Sequence, residues 1–318
     1  MYEPFPAHPL IREIVTAQTG LPEDQALQPN IVRKFFSEQA ATIPVADALR
    51  EERIVQVDSL NIKLTFIRPH GSENKTLPII LFFHGGGFFM GDINTHSILV
   101  YQLAIQTPAV VVFVDYSLSP EAKHPIALEE CYAALTWINK NAASFNGDPN
   151  RLALCGDSAG GNMTAAIAAY AKEKGNTSIK AQVLLYPMLG INFETESYTK
   201  YKNDSFLPRE VMQWVWRQYL TEESKTSRFA VPQLSTKEQL EGLPPALIIT
   251  AEKDVLRDDG EAYNNQLKKA GVNTVALRYF GVRHGFFTEP SLSPEALAGI
   301  QQIVYFLKKT WSNELANL

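Results

Sequence analysis

Gly156-Asp157-Ser158-Ala159-Gly160 decides how this chain is read. The run before it, Arg151-Leu-Ala-Leu-Cys155, is short and apolar, as a buried strand is. The run after it, Gly161-Asn-Met-Thr-Ala-Ala-Ile-Ala-Ala-Tyr170, is rich in helix formers. A serine on a sharp strand-to-helix turn has strained backbone angles and crowded neighbours. Glycines two residues before and two after it relieve the crowding and leave the hydroxyl exposed. A helix that starts at the serine also favours negative charge developing beside it. The five-residue pattern alone arises by chance about once in 15 chains of this length, so the flanking strand and helix carry the reading.

The histidines test it independently. A serine hydroxyl is a poor nucleophile unless a base takes its proton, and histidine is the usual base. On such elbows the chain order is serine, acid, histidine. The chain has 6 histidines and only His284 follows Ser158. It stands in Arg283-His-Gly-Phe286, just after the strand-like run Val275–Phe280. A lone histidine is more often structural, but order and context favour the base.

The acid is expected between these two positions, also after a strand. Pro245-Ala-Leu-Ile-Ile-Thr-Ala251 is apolar and partly β-branched, and Glu252-Lys-Asp254 follows it. Asp254 is the candidate that orients the imidazole and stabilises its protonated form. Glu252 is the second choice. Asp258 and Asp259 read as the N-terminus of the next helix, over Gly260–Lys269, where carboxylates suit the helix dipole.

A further component lies upstream. Leu77-Pro-Ile-Ile-Leu-Phe-Phe83 reads as a buried strand and runs into His84-Gly-Gly-Gly-Phe88. Three glycines after a strand let backbone N–H groups face a site without side chains in the way. Gly85, Gly86 and Ala159 are the expected oxyanion donors, with Gly87 a further candidate. A phosphate loop would need Gly-Lys-Ser/Thr, which is absent. His84 reads as structural.

Together these residues resemble the hormone-sensitive-lipase family of α/β-hydrolase esterases. The resemblance rests on His84-Gly-Gly-Gly87, Asp115-Tyr-Ser-Leu-Ser-Pro-Glu121, Gly156–Gly160, and Ala251–Asp258 with His284-Gly-Phe286. These run in family order over about 200 residues. The second motif departs from the common form, which has Arg where Ser117 stands and Ala where Ser119 stands. The resemblance implies an α/β-hydrolase fold, a mostly parallel central sheet with helices on both faces and a helical cap. It also implies hydrolysis of short- to medium-chain acyl esters through a Ser158–His284–Asp254 triad and an acyl-enzyme, with no metal or organic cofactor. Two rivals are an arylformamidase or other amide hydrolase with the same triad, and a non-catalytic small-ligand receptor. Phe88, where the first rival has Trp, and the presence of His284 count against them.

Composition agrees. A chain of 318 residues can bury a large single α/β core. The net charge of −5 and the lack of basic blocks disfavour nucleic acid as a partner, and a stable membrane association is not expected. The two cysteines, Cys131 and Cys155, lie inside apolar elements and read as small buried residues. Met1–Pro6 lacks the basic and apolar regions of a secretion signal, and no apolar run is long enough to cross a bilayer, so the cytoplasm is the expected location. Assembly as a homodimer is left open.

Along the chain, helices are expected at His8–Thr19 and Asn30–Thr42, then an antiparallel pair, Arg53–Asp58 and Ile62–Arg68, at a sheet edge. From Leu77 strands and helices alternate, with Pro108–Val114, Ile126–Asn141 and Ala181–Tyr186 among them, the pattern of a parallel sheet covered on both faces. Residues 190 to 235 break the rhythm and carry a helix near Pro208–Tyr219. No linker is visible, so 1–318 reads as one domain, with about 1–50 and 190–235 forming a cap. Phe88, Phe89, Tyr201, Phe206, Trp214, Trp216 and Phe287 are candidates for an apolar substrate pocket, although core packing is the commoner role for each taken singly.

Overall fold

The computed structural model describes residues 3–7, 9–204 and 206–312. Eight strands form one sheet: β1 (Leu49–Val57), β2 (Leu60–Arg68), β3 (Leu77–Phe83), β4 (Val110–Asp115), β5 (Gly147–Asp157), β6 (Ile179–Leu185), β7 (Ala246–Lys253) and β8 (Thr274–Arg283). Their spatial order is β1-β2-β4-β3-β5-β6-β7-β8. The β1–β2 and β2–β4 pairs are antiparallel and all the others are parallel. The expected antiparallel pair therefore stands at the sheet edge.

The helices, in chain order, are α1 (Pro9–Thr19), α2 (Glu23–Ala26), α3 (Pro29–Ala41), α4 (Ser97–Gln106), α5 (Ile126–Asn141), α6 (Ala159–Glu173), α7 (Glu196–Lys200), α8 (Arg209–Tyr219), α9 (Lys237–Leu240), α10 (Arg257–Lys269) and α11 (Pro294–Trp311). The His8 start expected for the first helix lies outside the described residues.

Strand β3 throughout, and β4 up to its last residue, Asp115, are apolar because both faces are covered. With a side-chain period of two, β3 sends Ile79, Leu81 and Phe83 into one core layer and Ile80 and Phe82 into the other. In β4, Val110, Val112 and Val114 divide from Val111 and Phe113 in the same way. The first layer is completed by α5, α6 and α10 and the second by α4 and α11. Cys131 and Cys155 are buried free thiols, one in each layer.

Residues 190–235 lie between β6 and β7 and hold α7 and α8. The N-terminal segment meets α8 above the loop that follows β3. Phe5 packs on Phe89 (ring centroids 4.7 Å apart) and on Trp214 (5.5 Å), and Glu3 accepts from Arg217 and Gln218. Arg33 on α3 donates to the carbonyl oxygens of Phe89 and Ser119 and pairs with Glu121. Among the described residues no helix is long and apolar enough to cross a membrane.

Candidate active site

Every residue of the expected triad follows a parallel strand at its C-terminal end: Ser158 after β5, Asp254 after β7, His284 after β8. Open α/β sheets place their working residues at this edge. The turn at Ser158 is as sharp as the sequence requires, with φ 54° and ψ −116°. Such angles are costly for a residue with a side chain and persist only where the surroundings fix them. Here Ser158 N–H donates to Leu185 O (2.8 Å), while Ser158 O accepts from Asn162 and Met188 (both 3.1 Å). The flanking glycines are obligatory for space. A Cβ on Gly156 would stand 2.2 Å from Gly160 O, and one on Gly160 would stand 1.9 Å from Phe83 O.

Three side chains then form a line. Ser158 Oγ lies 3.0 Å from His284 Nε2, and His284 Nδ1 lies 2.7 Å from Asp254 Oδ2. The other oxygen, Asp254 Oδ1, accepts from Leu256 N–H (2.9 Å), which fixes the carboxylate plane. Asp254 is 1 % exposed, whereas Ser158 (7 %) and His284 (6 %) keep a small opening to solvent. Glu252 stays within β7 and accepts from Gly281 N–H (2.8 Å), so it is spent on the strand edge. Asp258 and Asp259 fall in the first turn of α10. Asp259 also has a buried role, accepting from Leu189 and Gly190 N–H (3.2 and 3.0 Å). Burial pushes its carboxyl up to about 8, against the pull of those two amides.

The glycine loop corrects one expectation. Gly85 N–H, expected to face the site, donates to Asp157 Oδ1 (2.9 Å) and is used up inside the protein. Among the described residues the amides of Gly86, Gly87 and Ala159 have no protein acceptor. Gly86 and Gly87 take positive φ values of 99° and 62°, which glycine alone adopts at no steric cost. His84 is structural, as expected. Its ring stacks on Tyr116 (4.1 Å, 3°), its Nδ1–H donates to Gly85 O (2.8 Å), and burial holds its pKa down at about 3.

Two residues escape a reading of the sequence, His96 and Asp157. His96 Nε2 lies 3.3 Å from Asp157 Oδ1, with both side chains almost fully enclosed. Burial works against both charges, but each is the other's counter-ion. The His96 pKa is raised and, with Gly85 N–H helping, the Asp157 carboxyl is lowered. A carboxylate ending an apolar strand is a detectable signal, since a buried charge needs a partner.

The expected pocket residues divide. Phe206 is exposed, with its ring 6.4 Å from that of His284 and 3.2 Å from the place a Cβ on Gly285 would take. Tyr201 is half-buried, 6.0 Å below the Arg257 guanidinium. The others are buried core residues in this structure, at most 3 % exposed. Phe287 packs against Gly299 of α11 and against Tyr186, Phe88 stacks on Tyr219 (3.7 Å), and Phe89 meets Trp214 edge-on (4.9 Å). Trp216 is buried beside Tyr219.

At the position where the resemblance implies Arg, Ser117 donates from N–H and Oγ to Glu130 (2.7 and 2.6 Å). A guanidinium still reaches this loop, from Arg33 on α3. Among the described residues no three His, Cys, Asp or Glu side chains gather as a metal cage.

Comparison with known proteins identifies the fold and the family. A family model described as the alpha/beta hydrolase fold matches residues 80–288, which span all the motifs above. Carboxylesterase NlhH of Mycobacterium tuberculosis is 35 % identical over 249 residues, covering 77 % of this chain and 78 % of its own. A Rhizomucor miehei esterase structure superposes with a TM-score of 0.88 at 40 % identity, covering 98 % of this chain and 99 % of that one. A thermostable esterase from Pseudomonas putida gives 0.87 at 37 % identity, with 96 % and 98 % covered. The chain belongs to the alpha/beta hydrolase fold family and is similar over most of its length to these esterases.

Proposed function

We infer that this chain is a carboxylic ester hydrolase that works through a serine acyl-enzyme on short- to medium-chain acyl esters. The observation that carries the reading is the continuous line from Ser158 Oγ through the His284 ring to Asp254, at 3.0 and 2.7 Å. These are hydrogen-bond distances already suited to proton transfer. Ser158 Oγ attacks the ester carbonyl while His284 Nε2 takes its proton. Asp254 holds the ring in the tautomer with a proton on Nδ1 and stabilises the imidazolium. Negative charge on the carbonyl oxygen meets the free amides of Gly86, Gly87 and Ala159, the last at the N-terminus of α6. His284 then protonates the departing alcohol, and a water activated by the same ring releases the acid.

Carboxylic esters are favoured as substrates because the relatives are named as carboxylesterases and esterases. The N-terminal helices and residues 190–235 together act as the cap over the strand ends. Phe206 and Tyr201 belong to its inner rim. The reading is tested by Ser158→Ala assayed on p-nitrophenyl butyrate. It should fold as the wild type does and lose turnover by several orders of magnitude, towards the roughly 10⁶-fold loss known for a serine nucleophile. Activity within tenfold of wild type would refute it.

A further inference from the structure

The loop His84–Phe89 is tied down atom by atom. Its carbonyls are taken by Tyr116 Oη on His84 O (2.6 Å), His84 Nδ1–H on Gly85 O, Met90 N–H on Gly86 O (3.0 Å), Ser119 N–H on Phe88 O (2.8 Å) and Arg33 on Phe89 O. One amide in this stretch is held by a charge. Gly85 N–H is shared between Asp157 Oδ1 (2.9 Å) and His96 Nε2 (3.1 Å), and that ring nitrogen lies 3.3 Å from the same oxygen of Asp157, the residue joined directly to Ser158. The fit is too close for any side chain. A Cβ on Gly85 would stand 2.4 Å from Asp157 Oδ2, and one on Gly91 would stand 2.5 Å from Gly85 O.

The loop and the elbow are therefore joined at one buried carboxylate rather than merely neighbours. Its distance from Ser158 is fixed by one peptide unit. Its distance from the free amides of Gly86 and Gly87 is fixed by the grip on Gly85. His96 is in turn anchored by Thr95 Oγ1 at its Nδ1 (2.9 Å).

We propose that Asp157, backed by His96, is a positioning residue for ester hydrolysis: by holding Gly85 N–H it aims the amides of Gly86 and Gly87 at the oxyanion formed on Ser158. This rests on the reading of Ser158 and the glycine loop given above. A carboxylate kept dry beside a reacting serine would otherwise be an electrostatic burden, because it opposes charge developing on the carbonyl oxygen. Its pairing with His96 and Gly85 turns that charge away from the reacting centre and uses it to brace the donors.

The test compares Asp157→Ala, Asp157→Asn, His96→Leu and Ser158→Ala. The readouts are kcat and KM on p-nitrophenyl butyrate and the inhibition constant of a trifluoromethyl ketone, which forms an oxyanion when serine adds to it. Asp157→Ala should lower kcat by about 10²-fold, the cost of misaiming one oxyanion donor. KM should stay within threefold, and ketone binding should weaken in the same proportion as kcat. Asp157→Asn keeps an acceptor for Gly85 and should recover most of the loss, while His96→Leu should fall between. If Asp157→Ala does not fold, Asp157→Ser supplies the same comparison with a polar group too short to reach Gly85.

Wild-type kcat and ketone affinity in a folded Asp157→Ala, or a loss confined to KM, would overturn the proposal while Ser158→Ala stayed inactive. An active Ser158→Ala would overturn the underlying reading instead.

Discussion

At the scale of single residues, the two candidate acids separate by what they touch. Asp254 is buried and gives one oxygen to His284 and the other to Leu256 N–H, whereas Glu252 holds Gly281 N–H at the sheet edge. Asp254→Asn should leave the fold intact and lower turnover by about 10⁴-fold, because an amide presents the wrong partner to Nδ1–H. Glu252→Gln should stay within a few-fold. Steady-state kinetics on both variants check this, and the reverse ranking would reassign the acid. That Ser158, Asp254 and His284 would meet at strand ends was legible in the sequence because each is a polar residue within a few positions after an apolar run, in a fixed chain order. Gly85 was misread because its acceptor lies 72 residues away. No local pattern shows that an amide is already occupied.

At the scale of elements, one continuous apolar run and one amphipathic run gave good boundaries. Leu77–Phe83 and Ile126–Asn141 were read with the ends they have. Strands with polar ends were read too short. β5 begins at Gly147 because Gly-Asp-Pro-Asn hides its start, and β8 runs on to Arg283 through mostly exposed residues. In the same way α10 begins three residues before the expected Gly260. Its first turn carries Asp259, which braces the start of the 190–235 segment through Leu189 and Gly190, while Gln233 Nε2 donates to its backbone carbonyl (3.1 Å). A carboxyl near pKa 8 in the folded chain and near 4 when unfolded binds a proton only in the native state between those values. Stability from this group is therefore greatest at low pH and falls as pH rises from 4 to 8. Asp259→Asn, which cannot ionise, should shed that slope. Denaturation midpoints from pH 5 to 9 should show the variant gaining on wild type up to about pH 8 and holding level above it. Parallel curves would mean that Asp259 is ionised in the fold.

At the scale of the whole molecule, the aromatic residues were countable from the sequence but their destinations were not. Phe287, Phe88, Trp214 and Trp216 satisfy the core, and the exposed Phe206 stands beside His284. Burial is decided by which elements meet, and periodicity within one element says nothing of that. The proposed cap is closed by Phe5, Phe89 and Trp214 packing together, and Arg33 ties α3 to the loop beneath. On the cap reading, an acyl chain buries a few methylenes, each contributing up to about 0.8 kcal/mol, before further carbons meet a wall. In a p-nitrophenyl ester series kcat/KM should peak at about four to eight acyl carbons and fall beyond, with no jump on emulsified substrate. Efficiency still rising at about sixteen carbons would show a lid that opens on lipid.

The central claim is that Ser158 carries the acyl group. Rapid-quench mass spectrometry of the intact protein with p-nitrophenyl butyrate, followed by peptide mapping, tests it most directly. The account predicts a burst of p-nitrophenol approaching one equivalent per chain, and butyrylation confined to the peptide containing Ser158 and absent from Ser158→Ala. A covalent acyl group on any other residue, or full turnover through a chain that is never acylated, would contradict it.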